Sequence, residues 1–183
     1  NYAKVTAIDV HPHDRLCAVA TNNGCIYTLP LSFIEEDLQH GELNITSQRV
    51  SLVVKLSTPA TQLAWARWRS GRILGALIGS KMARLLSRGS DGSWKEVEFL
   101  DVPECNFLAF SPLKYELACA CTGGKLVVLK RTGDVWTTKW SDGPEGVKGT
   151  NKKDALCVAW SDNGLLSMGD NEGFVRVFNV QRT

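Results

Sequence analysis

The chain has 183 residues, a formal charge of +2, 44% hydrophobic and 22% charged residues. This is the composition of a packed, water-soluble chain, and it exerts no strong electrostatic pull toward nucleic acid or an anionic membrane. No apolar run approaches the roughly 18 residues that span a bilayer, the N-terminal residues lack a signal peptide's apolar core, and a cytoplasmic location is the default expectation.

The first extended run is Val5 to Val10, followed by the polar turn His11-Pro12-His13-Asp14 and a second run from Arg15 to Ala20. Asn22-Asn23-Gly24 reads as a tight hairpin turn because Asn and Gly tolerate positive φ, and Cys25 to Leu29 is a third strand that Pro30 stops. Leu31 to Gln48 is an excursion with one possible helical turn, Phe33 to Leu38, before Arg49 to Leu56 returns as a fourth, outermost strand. A second copy runs through Thr61–Ala66, Arg72–Leu77, Ala83–Leu86 and Ser93–Phe99. Its register is weakly signalled, because Ser80-Lys81 stands where later copies have Gly123-Gly124 and Glu172-Gly173. The third copy is the clearest. Cys105 to Phe110 alternates apolar and polar residues, Ser111-Pro112 turns, a second apolar run follows, Gly123-Gly124 turns again, and Leu126, Val128 and Leu129 close the unit before Val135–Trp140. After a surface loop from Asp142 to Lys153, the fourth copy comprises Ala155–Trp160, Leu165–Met168 and Phe174–Val180, with no fourth strand.

The copies superimpose on two bulky anchors each, Val10 and Leu29, Trp65 and Leu86, Phe110 and Leu129, Trp160 and Phe178. Anchor separations of 19, 21, 19 and 18 residues contrast with unit spacings of 55, 45 and 50. Constant spacing inside the unit and variable spacing between units is the mark of identical modules joined by unequal loops. Units of about 40 to 45 residues with four antiparallel strands are the signature of a β-propeller. The expected fold is therefore all-β, with blades at approximately 4–56, 60–100, 104–140 and 154–180 and about fifteen strands.

The details resemble the WD-repeat propellers. Gly124 to Leu129 and Gly173 to Phe178 follow the third-strand pattern loosely, and Phe110-Ser111-Pro112 and Trp160-Ser161 end first strands as that family does, although no copy carries the Trp-Asp dipeptide. Trp65-Ala66, Arg72 to Ala76, Gly92-Ser93-Trp94, Ser111 to Ala120 and Gly133 to Trp136, in that order, resemble the small WD-repeat proteins of the outer COPII vesicle coat and the nuclear-pore Y-shaped scaffold. That resemblance implies a non-catalytic structural subunit at an endoplasmic-reticulum coat or the nuclear envelope. Its partner would be a helical-solenoid protein that donates a blade to an open propeller. Membrane association would come only through the assembly, with no direct nucleic-acid contact. The alternative is another WD-repeat adaptor, such as a peptide reader or a subunit of an actin-nucleating or other multiprotein complex.

No catalytic, cofactor-binding or metal-binding set is expected. His11, His13 and Asp14 read as a polar hairpin, Cys119 and Cys121 as core residues on one strand face, and all six cysteines as small buried hydrophobes in a reducing compartment. Asn44-Ile45-Thr46 is a sequon without a secretory signal, and Lys148, Lys152 and Lys153 form a small basic loop patch. Trp94, Trp136 and Trp140 fall on outer strands, in interblade packing or at an exposed surface. The fourth copy lacks an outer strand, and four blades are fewer than the six or seven usual in the family. The expectation is a longer propeller or one completed by another protein, with Phe174, Val175, Val177 and Phe178 on the partner-binding edge.

Overall fold

A computed structural model describes residues 3–32, 50–68, 72–79, 82–100, 104–133, 135–142 and 154–180. Fifteen strands among them form four antiparallel sheets, each in simple up-and-down order. Blade 1 holds β1 (Val5–His11), β2 (Leu16–Thr21), β3 (Cys25–Pro30) and β4 (Ser51–Lys55). Blade 2 holds β5 (Ala60–Trp65), β6 (Arg72–Ile78), β7 (Met82–Arg88) and β8 (Trp94–Phe99). Blade 3 holds β9 (Cys105–Phe110), β10 (Glu116–Cys121), β11 (Leu126–Thr132) and β12 (Val135–Asp142), and blade 4 holds β13 (Ala155–Trp160), β14 (Leu166–Asp170) and β15 (Val175–Phe178). The final strand is shorter than the expected Phe174–Val180 because Asp170 holds Phe174 in the turn, exchanging backbone and side-chain bonds with it at 3.0 Å.

Each pair of sequence anchors lies on one cross-strand row. Val10 opposes Cys17 and Cys17 opposes Leu29; Trp65, Leu74 and Leu86 align the same way, as do Phe110, Leu117 and Leu129, and Trp160, Leu166 and Phe178. The rows repeat because the turns do. At Asn22-Asn23-Gly24 only the glycine takes positive φ, 82°, and its N–H donates to the Thr21 carbonyl at 3.0 Å. This is a type I turn closed by a left-handed residue, rather than the two-residue turn the sequence suggests. Gly24 is required twice, since a Cβ there would also land on the Leu56 carbonyl oxygen.

Alternation along each strand then divides the core into three layers, one for each blade junction. Ala18, Ala20 and Ile26 of blade 1 meet Leu63, Trp65, Leu74 and Leu86 of blade 2. Ile73, Leu77 and Leu85 on the other face of blade 2 meet Leu108, Phe110, Leu117 and Cys119 of blade 3. Ala118, Ala120, Leu126 and Val128 on blade 3's other face meet Val158, Leu166 and Met168 of blade 4. After their first residues, Arg72 and Glu116, strands β6 and β10 are apolar because both of their faces are covered. The helical turn expected at Phe33–Leu38, the Ser80-Lys81 turn, the Asn44 sequon and the basic patch at Lys148, Lys152 and Lys153 lie outside the described residues.

Candidate interaction faces

The first strand of each blade is an edge strand, since β1, β5, β9 and β13 each pair on one side only among the described residues. Backbone groups there need partners from elsewhere, and side chains of the neighbouring blade supply them. The Gln62 amide clasps Leu108 like a strand residue, donating to its carbonyl at 2.9 Å and accepting its N–H at 2.8 Å. Asp9 Oδ2 accepts the Trp65 N–H at 2.6 Å, and the Trp65 indole N–H returns to the Asp9 carbonyl at 3.2 Å. Thr6 donates to the Ala60 carbonyl at 2.7 Å and Asn106 to the Ala155 carbonyl at 2.8 Å, both from four positions before their blade's anchor. Trp160 repeats the Trp65 bond two junctions later, donating to the Ala109 carbonyl at 3.0 Å. Burial pushes the Asp9 carboxyl above its ordinary range, an effect its bond from Trp65 opposes. Sequence reasoning missed these braces. Their signal is a polar residue on an otherwise apolar inner strand.

Blade 4 presents a different far face. Val175 and Val177 are 70% and 64% exposed, and they share rows with Gly169 and Cys157, and with Ser167 and Ala159. Leu156 and Phe174 are also exposed. Among the described residues, strand β15 pairs only with β14. Of the four residues expected on the partner-binding edge, Phe178 points the other way, its ring 5.3 Å from Trp140 in the junction with blade 3. At the opposite end of the array, Val5, Ile8 and Val10 of β1 are exposed. The inner strands of all four blades line a common cavity of about 370 Å³ that reaches from Ile8 and Asp9 to Val158 and Trp160.

This geometry has counterparts among solved structures. The chain is similar to Sqt1 of Saccharomyces cerevisiae, at 14% identity and a TM-score of 0.69 over 97% of this chain and 46% of that one. A chain of the mitotic checkpoint complex matches at 14% identity and 0.67, over 96% and 50%. The β-propeller domain of Myceliophteria thermophila Cps50 (Swd1) matches at 11% identity and 0.68, over 96% and 51%. The fold is a β-propeller. No family model and no curated protein matches the sequence. The chain spans about half the length of these three propeller chains.

Within the propeller the other candidate groups resolve into structural roles. Among the described residues no three His, Cys, Asp or Glu side chains converge as a metal site. The sulfurs of Cys105 and Cys121 lie 3.6 Å apart, and the hydrogen bond between them, followed by burial, pushes the Cys121 thiol far above its ordinary range. Such a thiol stays protonated and inert. Five cysteines are buried, as the sequence suggests, but Cys157 is exposed because no further blade among the described residues covers its face of blade 4. The outer-strand tryptophans pack inward. Trp136 stacks on Trp68 at 6.2 Å, Trp94 leans on Trp65 at 5.8 Å, and Trp140 meets Phe178. Phe110 is 4% exposed at the junction of blades 2 and 3, whereas Trp160 is only half-buried.

Proposed function

We propose that this chain is a non-catalytic scaffold in a multiprotein assembly, docked through the far face of blade 4. The observation that carries the reading is the apolar row Val175 and Val177, standing beside a β15 edge with no fourth strand among the described residues. Exposed apolar side chains next to unsatisfied strand hydrogen-bonding groups are what strand addition uses. One structural neighbour comes from the mitotic checkpoint complex, which fits a propeller used as an assembly part. The finer reading is a vesicle-coat or nuclear-pore subunit, with a helical-solenoid protein as the blade donor, located at the endoplasmic reticulum or nuclear envelope. It rests on the sequence words Trp65-Ala66 and Ser111 to Ala120. Affinity purification under native, low-salt conditions with mass spectrometry tests it. A large helical-solenoid protein should be recovered in stoichiometric amount, and recovery of the chain with no such partner refutes the coat or pore assignment.

A further inference from the structure

In an up-and-down sheet, alternate turns emerge at the same end. The β1–β2, β5–β6, β9–β10 and β7–β8 turns therefore gather at one end of the array. Two clefts lie there and share Trp68 as a wall. The first, of about 360 Å³, is lined by His11, Asp14, Arg72 and Arg88, and the second, of about 470 Å³, by Arg67, Pro112, Leu113, Lys114 and Tyr115.

His11 carries the argument. Its Nδ1 accepts the N–H groups of His13 at 3.3 Å and Asp14 at 3.0 Å. At the same place in blade 3, Ser111 Oγ accepts the N–H groups of Leu113 and Lys114, both at 3.3 Å. The imidazole thus does a hydroxyl's work in the turn. Using Nδ1 as the acceptor puts the neutral ring's proton on Nε2. That Nε2–H is buried without a hydrogen-bond partner among the described residues, in a residue 3% exposed. A serine would close the turn and leave no such orphan, so the ring brings a donor that the turn does not need. Burial lowers the ring's pKa, as do His13 and Arg72, against the opposing pull of Asp14 and Asp9, and keeps it a neutral donor at pH 7. Arg72 gives its Nε to Asp14 at 2.6 Å, and Arg88 gives its Nε to the Gly92 carbonyl at 3.1 Å. A guanidinium so anchored still has further N–H donors to offer. The Asp14 charge is met by Arg72, which leaves Arg88, Arg67 and Lys114 to make the two clefts cationic overall. Leu113 and Tyr115 are exposed beside them.

We propose that this end of the propeller binds a short acidic peptide. Its oxyanion, a carboxylate or phosphate, seats between Arg72, Arg88 and the His11 Nε2–H, and an adjacent apolar side chain lies along Trp68, Leu113 and Tyr115. Arginine forks suit both oxyanions. The site lies away from the β15 edge, so it stands or falls separately from the scaffold reading. The test is fluorescence polarisation with the whole chain and a library of labelled octapeptides. One position carries glutamate, phosphoserine, glutamine or serine, and the next carries leucine, tyrosine or glycine. Glutamate or phosphoserine should be selected over glutamine and serine, with leucine or tyrosine preferred beside it, and the tighter of the two acids identifies the oxyanion. His11→Ser keeps a hydroxyl cap like that of Ser111 but deletes the donor, so it should weaken binding about tenfold, and losing the buried ring's edge-on contact with Trp65 at 5.2 Å should also lower the melting temperature. Arg88→Gln should weaken binding about tenfold at an unchanged melting temperature, because it touches neither that turn nor that contact. The proposal is overturned if the library does not distinguish acid from amide, or if either variant binds as tightly as the parent.

Discussion

Truncating Phe110 to Ala tests the junction between blades 2 and 3 directly. The ring is 4% exposed and sits edge-on to Trp68 at 5.4 Å and to Trp136 at 6.2 Å. Its rim also fills the space left by Gly75, where an added Cβ would come within 3.2 Å of it. Each aromatic contact contributes about 0.5–1.5 kcal/mol beyond area burial, and removing a buried phenylalanine costs about 3–5 kcal/mol in total. In a chain of this size each kcal/mol moves the thermal midpoint by about 2–4 °C, so Phe110→Ala should melt roughly 6–20 °C lower. Trp160→Ala is the internal control. That indole is half-buried and makes one bond to the Ala109 carbonyl, so its loss should cost only about 2 kcal/mol. Urea titration followed by circular dichroism gives both values. If Phe110→Ala costs no more than Trp160→Ala, the packing assigned to the two anchors is wrong.

Val175→Lys combined with Val177→Lys changes two exposed side chains, so stability should move by less than about 0.5 kcal/mol. Sedimentation should show less self-association, and any blade-donating partner should be lost from affinity purification. His11 has a folded pKa below its ordinary 6.5, so the neutral ring's contribution is fully present above pH 6.5 and is lost as the pH falls toward the folded value. Urea midpoints measured from pH 7.5 to 5 should decline by at most about 1.4 kcal/mol per pH unit, and His11→Ser should flatten that part of the curve. Gly24→Ala forces a left-handed alanine against the Leu56 carbonyl and strains the Leu56 N–H bond to the Gly24 carbonyl at 2.8 Å. It should cost more than about 1 kcal/mol in the same titration, and a neutral result refutes the close approach.

The blades were legible because local chemistry fixes them. Glycine turns such as Asp170 to Gly173 and the period-two pattern of Cys105 to Phe110 determine where a strand starts and which way each side chain points, and the anchor rows follow. What a neighbouring blade decides was harder to read. Cys157 and Cys119 look alike in sequence, yet one lies on a face that no blade among the described residues covers and the other between two blades. Phe178 and Val177 are adjacent in an apolar strand, and only the sheet's orientation sends one inward and the other outward. The brace residues Gln62, Asn106 and Asp9 were invisible for the same reason, since their partners lie 46 to 56 positions away. His11 was read as an ordinary hairpin residue, because the tautomer that leaves its donor unused depends on the turn's geometry.

The side-chain braces between inner strands join each blade only to the next, and no strand among the described residues crosses from one sheet to another. Such an array behaves thermodynamically as a linear chain of nearest neighbours and frays from its termini. Amide hydrogens of β6 and β10 should exchange slowest, and those of blades 1 and 4, each held at a single junction among the described residues, fastest. A protein seated against Val175 and Val177 would cover the second face of blade 4. Recruitment would then register as a slowing of exchange that spreads inward from blade 4, while the strands themselves keep their places.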